Sequence, residues 1–387
     1  MSDLIEPFQL NVSEEDLSEL RGRLQRVRWP DRETVNDTSQ GPQLLKLQAL
    51  VAHWIDVYDW RRCESMLNDF GQFKTTIDGL DIHFLHIRSP EPDAIPLLMA
   101  HGWPGSVLEF RKVIAPLSNP GAHGDDPRQA FHLVIPSMPG FGFSDKPSEP
   151  GWDMSRIGRT YVELMRRLGY ERWAMQGGDF GAGVTDEVAS LALPELIGIH
   201  LNFAMFMPAP DEIRDATPDE EGMLASARYF WSTLSGYAQV QRTRPQTIGY
   251  ALADSPVAQA AWIYAMFQDT CGTAGNAEVS FTLDEILDDI MLYWIPNASA
   301  SSARLYWELK RSNWSSAARI DRPIVVPSGF TMLAGEQVRK SRRWIEQRYS
   351  DVRHFAEHEQ GGHFAALENP HALVGDIRST FASLRES

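Results

Sequence analysis

Cysteine is scarce in this sequence, and long apolar runs are missing. Only Cys63 and Cys271 occur among 387 residues, without C-x-x-C spacing, which excludes a disulfide framework and a thiolate metal site. No apolar run approaches the ~20 residues that a membrane-spanning helix needs, and the opening "MSDLIEPFQL" lacks the pattern of a signal peptide. We therefore expect a soluble, cytoplasmic protein without a membrane anchor.

Net positive charge is also missing. The sequence has 52 Asp and Glu against 36 Lys and Arg, and its formal net charge is −16 at pH 7. Excess acid repels nucleic-acid phosphates and anionic membranes, so we expect neither as a partner. The hydrophobic fraction of 43% is ordinary for a globular protein, and the length allows one large core with an inserted domain.

The N-terminal segment has the pattern of helices followed by a hairpin. Ser13 and Asp16 have a weak capping-box spacing, and leucines follow them at helical intervals. A second helical run is predicted over residues 44–70. The next stretch, "FKTTIDGLDIHFLHIRS", alternates around Asp78-Gly79, which is typical of a β-hairpin.

Apolar strands then alternate with helix-length segments. The predicted strands are "AIPLLMA", "FHLVIPSM", "RWAMQGG", "LIGIHLNFA", "RPIVVPSGF" and "VRHFAEHE". This alternation predicts an α/β fold with a mostly parallel sheet covered by helices on both faces. A Trp-, Tyr- and Met-rich helical interval interrupts it and is predicted to be a cap over the carboxyl ends of the strands. The predicted divisions are an N-terminal extension (1–90), a first core part (91–206), the cap (207–314) and a second core part (315–387).

The stretch "MQGGDFGAG", residues 175–183, places an acid where the turn of a hydrolase usually carries serine. In the G-x-S-x-G turn the nucleophile stands between small residues where a strand enters a helix. Here Gly177 and Gly181 flank Asp179, and no G-x-S-x-G occurs in the chain. A helix N-terminus favours an anion, so Asp179 is predicted to be an ionised nucleophile that needs no base. Its attack on a saturated, strained carbon would form an alkyl ester, which water can hydrolyse.

Hydrolysis of that ester requires a base that activates water. His363, in "EQGGHFAALENP" after the last strand, has the chain position of the base in this fold. Glu336 follows the next-to-last strand and is the predicted acid that orients the imidazole, with Asp351 as the alternative. The glycines of "HGWPGS" predict an oxyanion hole formed by the backbone N–H groups of Trp103 and Phe180.

Together these stretches resemble the microsomal-type epoxide hydrolases, a family that includes insect juvenile hormone epoxide hydrolases and soluble microbial members. The resemblance runs nearly end to end and rests on "PFQLNVSEEDLSELRGRLQRVRWPD", "HGWPGS", "PSMPGFGFSDKP", "GGDFGAG", "DSPVAQAAWI", "DDIMLYW", "VPSGF" and "GGHFAALENP". It implies the α/β-hydrolase fold with an inserted cap. It also implies hydrolysis of an epoxide to a vicinal diol by Asp179, His363 and Glu336, without a cofactor or metal.

The resemblance further implies two cap tyrosines that hydrogen-bond the epoxide oxygen and protonate the leaving alkoxide. They match Tyr237 in "SGYAQVQ" and Tyr306 in "ARLYWELK", although an aromatic-rich cap also packs tyrosines as core. Trp103 and Phe180 are predicted to contact the substrate, and Phe180 replaces a tryptophan that is common in the family. The cap composition indicates an apolar or aromatic epoxide, and the family suggests a homodimer.

Two other functions are compatible with the same scaffold. A haloalkane dehalogenase also attacks saturated carbon with an aspartate, but a departing halide needs an N–H donor that the ring of Phe180 lacks. A non-catalytic small-molecule binder would be expected to lose a member of the triad, and all three members are present here.

Overall fold

The computed structural model describes residues 4–273, 275–312 and 323–385. Nine strands in these residues form one sheet, in the order β1-β2-β3-β5-β4-β6-β7-β8-β9. The strands are β1 (Glu6–Phe8), β2 (Gln72–Ile77), β3 (Leu80–Ile87), β4 (Ile95–Ala100), β5 (Phe131–Pro136), β6 (Trp173–Gly177), β7 (Leu196–Leu201), β8 (Ser328–Leu333) and β9 (Val352–His358). The pairings among β4 to β9 are parallel, and the three pairings that join β1, β2, β3 and β5 are antiparallel. The sheet is therefore mostly parallel, as predicted.

Helices cover both faces of this sheet. The helices of the first half of the chain are α1 (Glu14–Leu24), α2 (Leu44–Asp56), α3 (Trp60–Asp69), α4 (Arg111–Ser118), α5 (Met154–Arg167) and α6 (Asp179–Ala189). After β8 they are α15 (Arg342–Arg348), α16 (Ala365–Glu368) and α17 (Pro370–Phe381). Helices α4 and α17 pack together on one face, and α5 and α6 pack together on the other. Strands β5 and β6 are buried along their whole length for this reason.

Eight α-helices lie between β7 and β8 in the described residues of the interval predicted to be a cap. They are α7 (Pro210–Arg214), α8 (Pro218–Tyr229), α9 (Gly236–Thr243), α10 (Pro245–Asp254), α11 (Pro256–Thr270), α12 (Ala277–Ser280), α13 (Leu283–Trp294) and α14 (Ser299–Arg311). The predicted end of the cap, Trp314, lies outside the described residues. No helix in the described part of the chain is both long and apolar enough to cross a membrane.

The N-terminal predictions are partly confirmed. The side chain of Ser13 accepts a hydrogen bond from the N–H of Asp16 and caps α1, and β2 and β3 form the predicted hairpin around Asp78-Gly79. The single helical run over residues 44–70 is wrong. It divides into α2 and α3, because the side chain of Asp59 accepts a hydrogen bond from a backbone N–H and starts a new helix.

The strand predicted for "RPIVVPSGF" begins and ends later in the chain than its apolar residues indicate. Ile324 makes only an isolated bridge to Tyr349, and β8 begins at Ser328, directly after Pro327. Proline has no N–H to donate to a neighbouring strand, so regular pairing starts after it. This shift brings the carboxyl end of β8 to Leu333, three residues before Glu336.

Candidate active site

Asp179 lies at the turn between β6 and α6. It has a φ of 47°, a left-handed conformation that costs a non-glycine residue about 1–3 kcal/mol. A Cβ on Gly181 would collide with the carbonyl group of Ala100, and one on Gly177 would collide with the backbone of Gly181. Glycine at both positions therefore allows the sharp turn, which presents Asp179 at the N-terminus of a helix.

The loop His101–Ser106, which we call the HGWPGS loop, faces Asp179 from the end of β4. The backbone N–H of Trp103 donates a hydrogen bond of 2.9 Å to Oδ1 of Asp179. A Cβ on Gly102 would collide with that carboxylate, so only glycine allows the approach. The Trp103–Pro104 peptide is cis. One of the two predicted oxyanion donors thus points at the carboxylate oxygen.

His101 supports this loop from inside the core. Its Nδ1 donates to the carbonyl of Gly102 at 2.9 Å, and its Nε2 accepts from the N–H of Met138 at 3.2 Å. Burial lowers the pKa of His101 to about 4, so the imidazole is neutral at physiological pH and carries one proton. A neutral imidazole can donate from one nitrogen and accept on the other, as both contacts require.

His363 joins Asp179 to Glu336. Its Nδ1 lies 2.6 Å from Oε2 of Glu336, and its Nε2 lies 3.5 Å from Oδ2 of Asp179. The other carboxylate oxygen of Glu336 accepts the backbone N–H of Val338 at 2.9 Å, which holds the acid in place. The ring of Phe203 meets the imidazole edge-on at 5.8 Å and narrows the space around it. The structure therefore brings together the three residues that the chain order predicted.

The charges around His363 favour its protonated form in the free protein. Burial by itself lowers the pKa of the imidazole, but the carboxylates of Glu336 and Asp179 outweigh burial. The pKa of His363 consequently lies well above its usual range. Asp351, the alternative acid, pairs instead with the guanidinium of Arg353 at 2.8 Å.

The two predicted cap tyrosines lie over the residues beside Asp179. The ring of Tyr237 stacks on Trp103 at 4.9 Å, and the ring of Tyr306 meets Phe180 edge-on at 4.7 Å. Burial raises the pKa of both phenols, and the Asp179 carboxylate raises both further. Both hydroxyls therefore keep their protons at neutral pH and share the electrostatic environment of the carboxylate.

The site has no arrangement of ligands for a metal. Within residues 4–273, 275–312 and 323–385, no three His, Cys, Asp or Glu side chains come together in a geometry that could hold an ion. That no cofactor is needed stays an implication of the family resemblance.

Four residues near the site were not singled out from the sequence: Glu109, Asp289, Tyr293 and Phe203. Asp289 and Tyr293 lie in "DDIMLYW", a stretch noted only for its resemblance. In the sequence, the only sign of a role for these residues is that acids and a tyrosine stand within an otherwise apolar helical pattern. The partners of these side chains could not be identified from spacing.

This geometry defines an α/β hydrolase with a carboxylate where serine members have a hydroxyl. Residues 5–110 match the family described as epoxide hydrolase N terminus, and residues 95–200 match the alpha/beta hydrolase fold. A protein of Stigmatella aurantiaca (strain DW4/3-1), provisionally named an epoxide hydrolase, is 49% identical over 98% of this chain and 86% of its own. Epoxide hydrolase 1 of Sus scrofa is 32% identical over 99% of this chain and 89% of its own. The chain belongs to the epoxide hydrolase family.

Solved structures agree with this assignment. Juvenile hormone epoxide hydrolase from the silkworm Bombyx mori superposes with a TM-score of 0.91 at 28% identity, covering 99% of this chain and 95% of that one. Aspergillus niger epoxide hydrolase superposes with a TM-score of 0.88 at 28% identity, covering 98% and 96%.

Proposed function

We propose that this protein hydrolyses epoxides to vicinal diols through a covalent ester on Asp179. One observation carries the proposal. The two oxygens of Asp179 have different surroundings, since Oδ1 accepts the N–H of Trp103 and Oδ2 faces Nε2 of His363 at 3.5 Å. A nucleophile with one oxygen held by a backbone donor and the other beside the base suits attack on carbon followed by hydrolysis at its own carbonyl.

In the first step Oδ2 of Asp179 attacks one ring carbon of the epoxide. The new C–O bond forms as the ring C–O bond breaks, and the ring oxygen leaves as an alkoxide. Tyr237 or Tyr306 donates its phenolic proton to that oxygen, and the His363 imidazolium returns a proton to the tyrosine. The products of this step are an alkyl ester, a neutral tyrosine and a neutral His363.

Ester formation prepares His363 for the second step. The Asp179 carboxylate is one of the two charges that raise the pKa of the imidazole in the free protein. Esterification neutralises this carboxylate, so the pKa of His363 falls and the ring becomes a base. The Glu336 carboxylate remains at 2.6 Å to stabilise the imidazolium that forms again when water is deprotonated.

In the second step His363 takes a proton from water, and the hydroxide adds to Cγ of Asp179. Negative charge develops on Oδ1, where the N–H of Trp103 donates, and we assign the second donor to the N–H of Phe180. Collapse of this intermediate expels the diol oxygen, which takes the proton from His363. Proton transfer from the new acid to His363 restores the starting state, and the sum is epoxide plus water to diol.

We infer an apolar or aromatic epoxide as substrate, with Trp103 and Phe180 as contact residues. Their rings form the floor beneath the two tyrosines, and a floor of this kind favours apolar groups. We propose the division into an extension (1–90), two core parts (91–206 and 315–387) and a cap (207–314), which the eight helices between β7 and β8 support.

We also propose a cytoplasmic location. Cys63 and Cys271 are both buried free thiols, which is ordinary for a protein that folds in a reducing compartment. Assembly as a homodimer stays a prediction of the family resemblance.

A single-turnover experiment in ¹⁸O-water tests the proposed route. Enzyme in excess is mixed with an aryl epoxide, and mass spectrometry follows the diol and the peptide that contains Asp179. The ester route predicts unlabelled diol and one ¹⁸O in Asp179, because the water oxygen enters the carboxylate. Enzyme incubated in ¹⁸O-water without epoxide is the control, and its Asp179 should stay unlabelled.

Two results would overturn the proposal in different ways. Labelled diol with unlabelled Asp179 would mean direct attack by water on the epoxide, and Asp179 would then not be the nucleophile. No diol from any of a panel of aryl and alkyl epoxides would reject epoxide hydrolysis, and release of halide from haloalkanes would then identify a dehalogenase.

A further inference from the structure

Helix α13, which contains "DDIMLYW", directs polar side chains from the cap onto the HGWPGS loop. Asp289 accepts a hydrogen bond of 2.6 Å from the hydroxyl of Ser106, and the hydroxyl of Tyr293 donates at 2.7 Å to the carbonyl of Gly105. Both side chains are buried, with 5% and 2% of their surface exposed. Two neighbouring residues at the end of this loop are thus held by one helix.

The loop has little space in which to move. The carboxylate of Asp179 occupies the place where a Cβ on Gly102 would lie, and the carboxylate of Glu109 does the same at Gly105. Between these two glycines is Trp103, whose N–H contacts Oδ1 of Asp179. The position of that N–H therefore depends on groups on both sides of the loop.

The residue before Asp289 in α13 is anchored by charge. Asp288 is fully buried and accepts hydrogen bonds from the hydroxyl of Tyr58 at 2.8 Å, from Arg62 at 2.8 Å and from Arg111 at 2.6 Å. Tyr58 and Arg62 belong to the N-terminal extension. Consecutive acids thus connect α13 to the extension on one side and to the HGWPGS loop on the other.

Asp289 also lines a cavity of about 10 Å³ together with Glu109 and Phe364, enough for one water molecule. Its Oδ2 is buried and has no hydrogen-bond partner within the described part of the chain. Burial raises the pKa of Asp289 to about 8, although the bond from Ser106 lowers it. The group is therefore mostly protonated at neutral pH, and an asparagine has nearly the same shape and can accept the same hydrogen bond.

We propose that Asp289 and Tyr293 are positioning residues for ester hydrolysis, because they hold the HGWPGS loop so that the Trp103 N–H meets Oδ1 of Asp179. This inference rests on the proposed covalent route. Alkylation removes negative charge from Oδ1, whereas attack by water on the ester restores it. A misplaced N–H therefore slows the second step and leaves the first unchanged or faster. General damage to the site would slow both steps.

Rapid-quench single turnovers with an aryl epoxide separate the two steps. We expect Tyr293→Phe and Asp289→Leu to slow ester decay on the order of tenfold while ester formation keeps its rate. The covalent ester should then accumulate and be detected by mass spectrometry. Asp289→Asn should restore decay to the wild-type rate, since the hydrogen bond to Ser106 is kept.

Tyr58→Phe is the matched control. It removes the same kind of hydroxyl from a contact between α13 and the N-terminal extension, where the partner is Asp288, and should leave the ratio of the two rates unchanged. If Tyr293→Phe does not fold, Ser106→Ala can take its place. This variant removes the hydrogen bond between Ser106 and Asp289 from the loop side, and it should also slow ester decay while ester formation keeps its rate.

Three results would contradict the inference: equal slowing of both steps, no slowing of ester decay, or a selective slowing of ester decay in Tyr58→Phe. Absence of any ester in the wild-type protein would instead reject the covalent route on which the inference depends. The wild-type reaction therefore distinguishes failure of the proposed function from failure of the role proposed for α13.

Discussion

Replacing Glu336 by glutamine removes one charge from the site and keeps the size of the side chain. The acid lies 2.6 Å from Nδ1 of His363, and only 7% of its side chain is exposed. An amide oxygen at the same place can still accept the Nδ1 proton, so the orientation of the ring should persist. The variant therefore isolates the effect of the charge on the imidazolium that forms when water is deprotonated.

The size of this effect follows from the geometry. Two unit charges 2.6 Å apart attract by about 6 kcal/mol at an effective dielectric constant near 20, which is an upper bound. Hydrogen bonds to charged groups contribute about 1.5–3 kcal/mol net. At 1.36 kcal/mol per tenfold, Glu336→Gln should slow ester hydrolysis about 10- to 150-fold. Ester formation should change less, since His363 gives up a proton in that step and no imidazolium has to form.

Rapid-quench kinetics with an aryl epoxide measure both rates in the same experiment. The expected result is slow ester decay and accumulation of alkylated Asp179. Asp351→Asn is the control, because Asp351 pairs with Arg353 and not with His363. The reasoning would be refuted if Glu336→Gln hydrolysed the ester at the wild-type rate, or if Asp351→Asn showed the same defect.

Two further predictions concern the first chemical step and the stability of the core. Tyr237→Phe and Tyr306→Phe should each slow ester formation on the order of tenfold, and the double variant should slow it by at least about 100-fold. Rapid-quench assays measure this rate. If Asp179 of the double variant is alkylated at the wild-type rate, neither tyrosine is the acid. Asp186→Asn should destabilise the fold by about 3–5 kcal/mol in urea unfolding, because it removes a buried carboxylate that lies 2.8 Å from the guanidinium of Arg348, which is only 1% exposed. Asp126 is the matched control, because its partner Arg128 has 89% of its side chain exposed, and the Asp126→Asn variant should unfold like the wild type.

Features set by neighbouring residues could be predicted from the sequence. The glycines around Asp179 indicate a strand-to-helix turn because a side chain at either position would collide with nearby backbone. Asp78-Gly79 predicts the hairpin because both residues adopt positive φ there. His363 follows from its place after the last strand, which parallel topology brings to the carboxyl edge of the sheet.

Local pattern failed where a single polar contact decided the structure. The break between α2 and α3 depends on one cap at Asp59, although helical periodicity continues across it. The start of β8 depends on Pro327 and on the register with β9, whereas the apolar residues alone predict a strand that begins and ends too early. Both errors arise because hydrophobic periodicity indicates which side chains are buried. It does not indicate which backbone N–H and C=O groups are hydrogen-bonded to each other.

The class of fold, the carboxylate at the turn and the chain order of the nucleophile, acid and base could be predicted from local patterns in the chain. Folding in three dimensions is what brings Glu336, and not Asp351, to His363, and what brings α13 into contact with the HGWPGS loop. Ser106 and Asp289 are 183 residues apart in the chain, and Gly105 and Tyr293 are 188 apart. Contacts over such separations depend on how the cap packs on the core, and no local spacing in the chain records that packing.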